Sequence, residues 1–332
     1  MNDTIDIPVP GNTPVKAPAQ TTSGSLRAPL YVAWQLTNEC NLACLHCIEE
    51  SGPGKAFHDE MTKEQVFNVL RQIAEEEVPY LSFSGGEPML HPHFFEMVEY
   101  ICDRGVELKI ETNAHYLTPE ACRTLKDYGV KAVQVSLDGT TPASFNRMRV
   151  RGDYHKTIEG MRNLQAAGVP LEINFSPTSF NAHEIPEAID IGLSVGAISF
   201  YTGRTMYTGN AVKTWPKINP TEDQYTDLFA LLRQREEQHR DTMRIHFHEM
   251  GLLEELRYRL HNPAALIIVL PNGLVKLINA LPFVCGDLRK QSLTEVWSHF
   301  QEAWQDPRVA DFVDQLAADP NATSKLHKWV FL

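Results

Sequence analysis

No run of about 18 apolar residues occurs in this 332-residue chain, so no segment reads as a membrane span. Basic charge is also scarce. Lys and Arg number 30 against 42 Asp and Glu, and the net charge of −12 argues against a nucleic-acid partner, which would need a basic face. The N-terminus has neither a basic start nor an apolar stretch behind it, so it is not a signal peptide. Residues 1–28, rich in Pro, Thr, Ala and Ser, read instead as a disordered tail. Cysteine is limited to six residues, with a single one after residue 122.

Three of those six stand together in Leu36-Thr-Asn-Glu-Cys-Asn-Leu-Ala-Cys-Leu-His-Cys47. A C-x3-C-x2-C loop with no fourth cysteine nearby implies one [4Fe–4S] cluster held by Cys40, Cys44 and Cys47, with one iron left open to an exogenous ligand. A zinc clip is the competing reading, but a closed structural zinc site would also want a fourth ligand. Thiolate ligands need reduced cysteines, which points to the cytoplasm.

With 43% hydrophobic residues, the chain can bury one large core and a smaller domain. From Leu30 onward, strands alternate with helices. Strands are expected at 31–36, 80–83, 107–111, 132–137, 171–175 and 197–201, and the intervening helices end near Gly105, Gly129, Gly168 and Gly196. Met61-Thr-Lys-Glu64 supplies the start signal of the first helix. Six βα units imply a parallel sheet with right-handed crossovers, too short to close an eight-stranded barrel. The fold class is α/β, an open partial (β/α)6 TIM-like barrel over 29–215, with a small α+β extension over 216–332. In such sheets ligands gather at the C-terminal strand ends.

The cysteine loop after the first strand, His46 within it, and Ser84-Gly-Gly-Glu-Pro88 one βα unit later resemble the radical S-adenosylmethionine (SAM) superfamily. The resemblance implies that the open iron chelates SAM and that an electron from the cluster cleaves it to methionine and a 5′-deoxyadenosyl radical, which abstracts a hydrogen atom from substrate. A one-electron donor of the flavodoxin or ferredoxin kind is the implied partner. Carried over residue by residue, Ser84, Gly85, Gly86, Glu87 and Pro88 match the element that contacts the SAM amino group. Thr112 and Asn113 match a Thr-Asn-Gly element, with Ala114 in place of its glycine. Ser136 and Asp138 end the fourth strand, where relatives bind the ribose and carboxylate. Arg149 is the first choice for the carboxylate because a guanidinium fork matches it bidentately, with Arg147 and Arg151 as competitors. Asn174 and Asn181 have the polarity for ribose contacts.

The last third resembles a SPASM or twitch extension: a hairpin turning at Asn272-Gly273, then Gly286-Asp-Leu leading to Ser292-Leu-Thr-Glu-Val-Trp297. Relatives carry auxiliary-cluster cysteines there, one of them where this chain has Lys276-Leu-Ile-Asn279. The extension is therefore expected to be free of clusters, closing the open barrel and shaping the substrate pocket. Cys102 and Cys122 read as core thiols. Cys285 is a candidate hydrogen-atom donor, with simple packing as its alternative. Tyr201, Arg204, Tyr207, His246, His248 and Glu249 are candidates to reach the pocket. The expected activity is hydrogen abstraction from a small molecule (a sugar, nucleoside or cofactor precursor) leading to epimerisation, elimination or decarboxylation. A peptide-modifying maturase is the alternative, and a non-catalytic cluster carrier is the control.

Overall fold

A computed structural model describes residues 26–319 and 329–332, so most of the expected tail lies outside the described residues. The elements run β1 (Tyr31–Thr37), α1 (Lys63–Glu75), β2 (Tyr80–Gly85), α2 (Phe94–Cys102), β3 (Glu107–Thr112), α3 (Pro119–Asp127), β4 (Ala132–Ser136), α4 (Pro142–Met148), α5 (Tyr154–Ala167), β5 (Leu171–Asn174), α6 (Ile185–Ser194) and β6 (Ser199–Gly203). There follow α7 (Asn210–Ile218), α8 (Glu222–His239), β7 (Arg244–His248), α9 (Leu252–His261), β8 (Leu266–Val269), β9 (Leu274–Lys276), β10 (Phe283–Asp287), α10 (Leu293–Ala303), α11 (Pro307–Ala318) and β11 (Val330–Phe331).

Local chemistry explains the helix boundaries. Thr62 caps α1, but its reciprocal partner is Gln65 and not the Glu64 of the sequence signal, and the buried Val66, Val69, Leu70 and Ile73 form one stripe against the sheet. Ser292 and Glu295 make the same capping box on α10. All four helix-ending glycines take positive φ.

Among the described residues the strands form one sheet, ordered β11-β10-β9-β8-β1-β2-β3-β4-β5-β6-β7. β1 through β6 pair in parallel and in sequence, as six βα units require. A seventh strand extends the run. Arg244–His248 pairs in parallel with β6, across a crossover supplied by α7 and α8. Thus a strand that reads as part of the extension joins the barrel, and the expected boundary after residue 215 falls inside α7. The extension does not close the barrel. Its hairpin adds to the free edge of β1 through β8, which runs parallel to it, so the sheet stays open.

The core lies between the sheet and its outer helices. Trp34 and Phe83 meet edge to face at 6.1 Å, and Phe83 meets Phe94 at 6.4 Å. Such large buried rings each remove enough apolar area to contribute about 2–3 kcal/mol. The side of the strands that faces inward is polar, carrying Gln35, Ser84, Glu111, Ser136 and Asn174 at or near strand ends. No described helix is long and apolar enough to cross a membrane.

Candidate functional site

The cysteine loop leaves β1 under the control of two carboxylates. Glu60 accepts from the Asn38 amide at 2.9 Å and the Thr37 hydroxyl at 3.0 Å. Glu39 accepts from the amides of Gly54, Lys55 and Ala56 at 2.9, 3.1 and 3.3 Å. Two helices then clamp the loop from outside. Near the end of α4, the Val150 and Met148 carbonyls accept from Ala43 and Leu45 at 2.9 and 3.0 Å. From α7, the Asn210 amide donates to the Cys47 carbonyl at 2.9 Å, its side chain to the Cys44 carbonyl at 3.2 Å, and Thr214 to the Leu45 carbonyl at 2.8 Å. Neither Glu60 nor Asn210 was legible as functional in the sequence, because their partners are backbone groups distant in the chain.

Gly85 and Gly86 fasten β2 to this loop. A Cβ on Gly85, whose φ is 117°, would stand 2.6 Å from the Thr37 carbonyl oxygen, and one on Gly86 would stand 2.0 Å from that of Glu39. No other residue fits so close an approach. The Gly86 and Glu87 amides donate to these same two carbonyls at 2.8 and 2.9 Å. Glu87 itself is fully buried and turned away from the cavity. Its carboxylate takes the Thr112 hydroxyl at 2.8 and 2.9 Å, the Asn113 amide at 2.9 Å and the Met89 amide at 3.2 Å. Burial pushes its pKa up to about 7, with those donors working the other way. Glu87 thus joins β2 to β3.

Asp138 does the same for the fourth strand. Fully buried, it lies 2.7 Å from Arg149 Nε and 3.3 Å from His46 Nε2, and its other oxygen accepts from the Ser176 amide at 2.7 Å. Arg149 in turn donates to Cys44 Sγ at 3.8 Å, and Asn113 to Cys40 Sγ at 3.9 Å. Burial holds His46 down at about 4, hence neutral, and pushes the Cys40 and Cys44 thiols up to about 11 and about 12. Asn181 donates to the Asp138 and Ser176 carbonyls at 3.0 and 3.2 Å and so braces this turn from within.

These elements enclose a cavity of about 540 Å³. Cys40, Cys44 and Cys47 line it together with Ser84, Gly85, Gly86, Thr112, Asn113, Ser136, Arg149 and Asn174. Glu87, Pro88 and Asp138 stand behind that wall. Arg204 and His248 also reach the cavity, whereas Tyr201, stacked on His246 at 4.8 Å, does not line it. Cys285 does not reach it. On β10, 4% exposed, it donates to the Val275 carbonyl at 3.4 Å, and burial pushes its thiol up to about 12. In this position it is a packed residue of β10, which extends the sheet beyond the hairpin strands β8 and β9. Among the described residues no three His, Cys, Asp or Glu side chains converge on a single ion, the His246-x-His248 pair included.

The donor set suits a cluster. Three thiols from one braced loop share a cavity with a buried guanidinium that offsets thiolate charge, and N–H groups point at two of the sulfurs. The molecule is thus an open α/β barrel with a three-cysteine pocket at its strand ends.

A family model described as Radical SAM superfamily matches residues 34–190. That stretch, a little under half of the chain, is where the likeness to the superfamily lies. The chain is 31% identical over 66% of its length to the mycofactocin maturase MftC of Mycobacterium tuberculosis strain H37Rv, covering 56% of that protein. With the AdoMet-dependent heme synthase of Methanosarcina barkeri it shares 26% identity over 82% of its length and 83% of the relative's. It therefore spans little more than half the length of the first of these relatives. Among solved structures, Streptococcus suis SuiB bound to S-adenosylmethionine superposes with a TM-score of 0.69 at 15% identity, over 86% of this chain and 68% of that one, a likeness of fold.

Proposed function

We propose that this chain is a radical SAM enzyme that binds one [4Fe–4S] cluster through Cys40, Cys44 and Cys47 and SAM through the residues around them. Bound there, the cluster would supply the electron for reductive cleavage of SAM and, through it, hydrogen-atom abstraction from substrate. This chain's own residues hold and orient. Gly85 and Gly86 keep the second strand end against the cysteine loop, where an ammonium group would find backbone acceptors. Arg149, held by Asp138, presents the remainder of its guanidinium to the cavity, where a carboxylate can sit. Ser136 and Asn174 offer a hydroxyl and an amide to ribose. A flavodoxin- or ferredoxin-like protein would deliver the electron, in the cytoplasm, where thiols stay reduced.

The observation that carries this reading is the convergence of three loop cysteines and four strand ends on one cavity. Polar side chains at the strand ends, Gln35, Ser84, Ser136 and Asn174 among them, offer hydrogen bonds to a small polar substrate. The second reading, a peptide-modifying maturase, is favoured by the mycofactocin maturase among the relatives. Anaerobically reconstituted protein, reduced with dithionite, should release 5′-deoxyadenosine and methionine in equal amounts. A reconstituted, SAM-binding protein that releases neither would overturn the proposal.

A further inference from the structure

Outside the motifs, a second group of polar side chains forms another part of the cavity wall. Glu49, two residues beyond Cys47, lines both the main cavity and a neighbouring one of about 340 Å³, and so does Asn279, between β9 and β10. Lys276, the last residue of β9, lines the smaller cavity and is 7% exposed. Its ammonium donates to the Asn279 carbonyl at 3.0 Å. Glu49 Oε1 and Asn279 Oδ1 are both buried with no hydrogen-bond partner. Each such acceptor, left dry, costs about 1–3 kcal/mol. Two of them beside a buried ammonium, at a wall shared by two cavities, make a recognition site that a ligand completes.

The charges select the ligand. A cation would meet the Lys276 ammonium, and an anion could not donate to the two open oxygens, so the group that fits is neutral. It must donate to Glu49 and Asn279 while accepting from Lys276. An amide carries both functions at once, in one plane and in fixed orientation. We infer that Glu49, Lys276 and Asn279 form a subsite for an amide of the substrate, contributed jointly by the cysteine loop and the C-terminal hairpin. The aromatic pair Phe57 and Trp329, 5.9 Å apart, lines the smaller cavity and offers apolar surface to the remainder of the substrate. The inference deepens the proposed function and rests on it for the meaning of the cavity, though the site itself is testable without turnover.

Saturation-transfer NMR on cluster-reconstituted protein without SAM would compare N-acetylalanine N′-methylamide, propionamide and myo-inositol. The amides should bind, and Lys276→Met and Asn279→Ala should each weaken them at least fivefold at unchanged iron content. Asn279→Ala, in a turn, keeps the test open where Lys276→Met disturbs the hairpin. Preference for the blocked alanine over propionamide assigns the amide to a peptide, and equal binding assigns it to the carboxamide of a small molecule. Inositol binding as tightly as the amides, no amide binding, or amide affinities unmoved in both variants would overturn the subsite. Failure of SAM cleavage with amide binding intact would overturn the proposed function alone.

Discussion

The wall of the cavity built by β1 to β4 and the wall built by the C-terminal hairpin both carry polar side chains, yet they differ in what their carboxylates and amides meet. In the first, Glu39, Glu60 and Glu87 each accept two or more hydrogen bonds, and Asp138 is surrounded by an arginine, a histidine and an amide. In the second, Asn279 Oδ1 and the neighbouring Glu49 Oε1 have no partner. The carboxylates of the first wall are thus held in place before anything binds. The second leaves hydrogen-bonding capacity for a substrate to fill, because a donor supplied at binding discriminates where one already present would not.

The largest effect expected on the first wall comes from replacing Cys40, Cys44 and Cys47 together by alanine. Reconstituted wild-type protein should bind about four irons and the triple variant essentially none. Eight irons in the wild type, or iron retained by the variant, would show that the second wall also carries a cluster.

Next in size is the buried pair behind Cys44. Asp138→Asn leaves the Arg149 guanidinium uncompensated, and Arg149→Met leaves the carboxylate so, each costing about 3–5 kcal/mol. The double variant should cost far less than their sum. Additive losses in urea unfolding would mean that the two side chains do not act as a pair.

A smaller effect concerns Glu87. Its folded pKa, raised to about 7, exceeds the unfolded value, so the folded state holds its proton longer and stability falls as pH rises from about 4.5 to 7. Glu87→Gln should therefore remove up to about 1.4 kcal/mol per pH unit of downward slope in that window. Coincident wild-type and variant slopes would place an ionised Glu87 in the fold.

The smallest effect belongs to the far side of the second wall. Cys285→Ala should cost about 1 kcal/mol and leave SAM cleavage and product formation unchanged, since the thiol faces the Val275 carbonyl. Cleavage without product in that variant would restore Cys285 to the chemistry.

By itself the sequence determined the six βα units, the open sheet and the three-cysteine loop, because these depend on local periodicity, on capping glycines and on close spacing along the chain. It also marked Ser84 to Gly86, Thr112, Asn113, Ser136 and Asn174, which lie at strand ends where a parallel sheet presents its ligands, and Arg149, which follows α4. Tertiary structure alone decided the rest. Glu87 and Asp138 look like ligands in one dimension, and only the fold shows that their carboxylates meet Thr112, Asn113, Arg149 and Ser176. Strand β7 joined the barrel because pairing is settled by a free edge and not by position in the chain. Glu49, Lys276 and Asn279 lie up to 230 residues apart in sequence and belong to no motif. They became a site only when the hairpin docked on β1, because a hydrogen-bonding vacancy is a property of the space between side chains, and the order of residues along a chain does not describe that space.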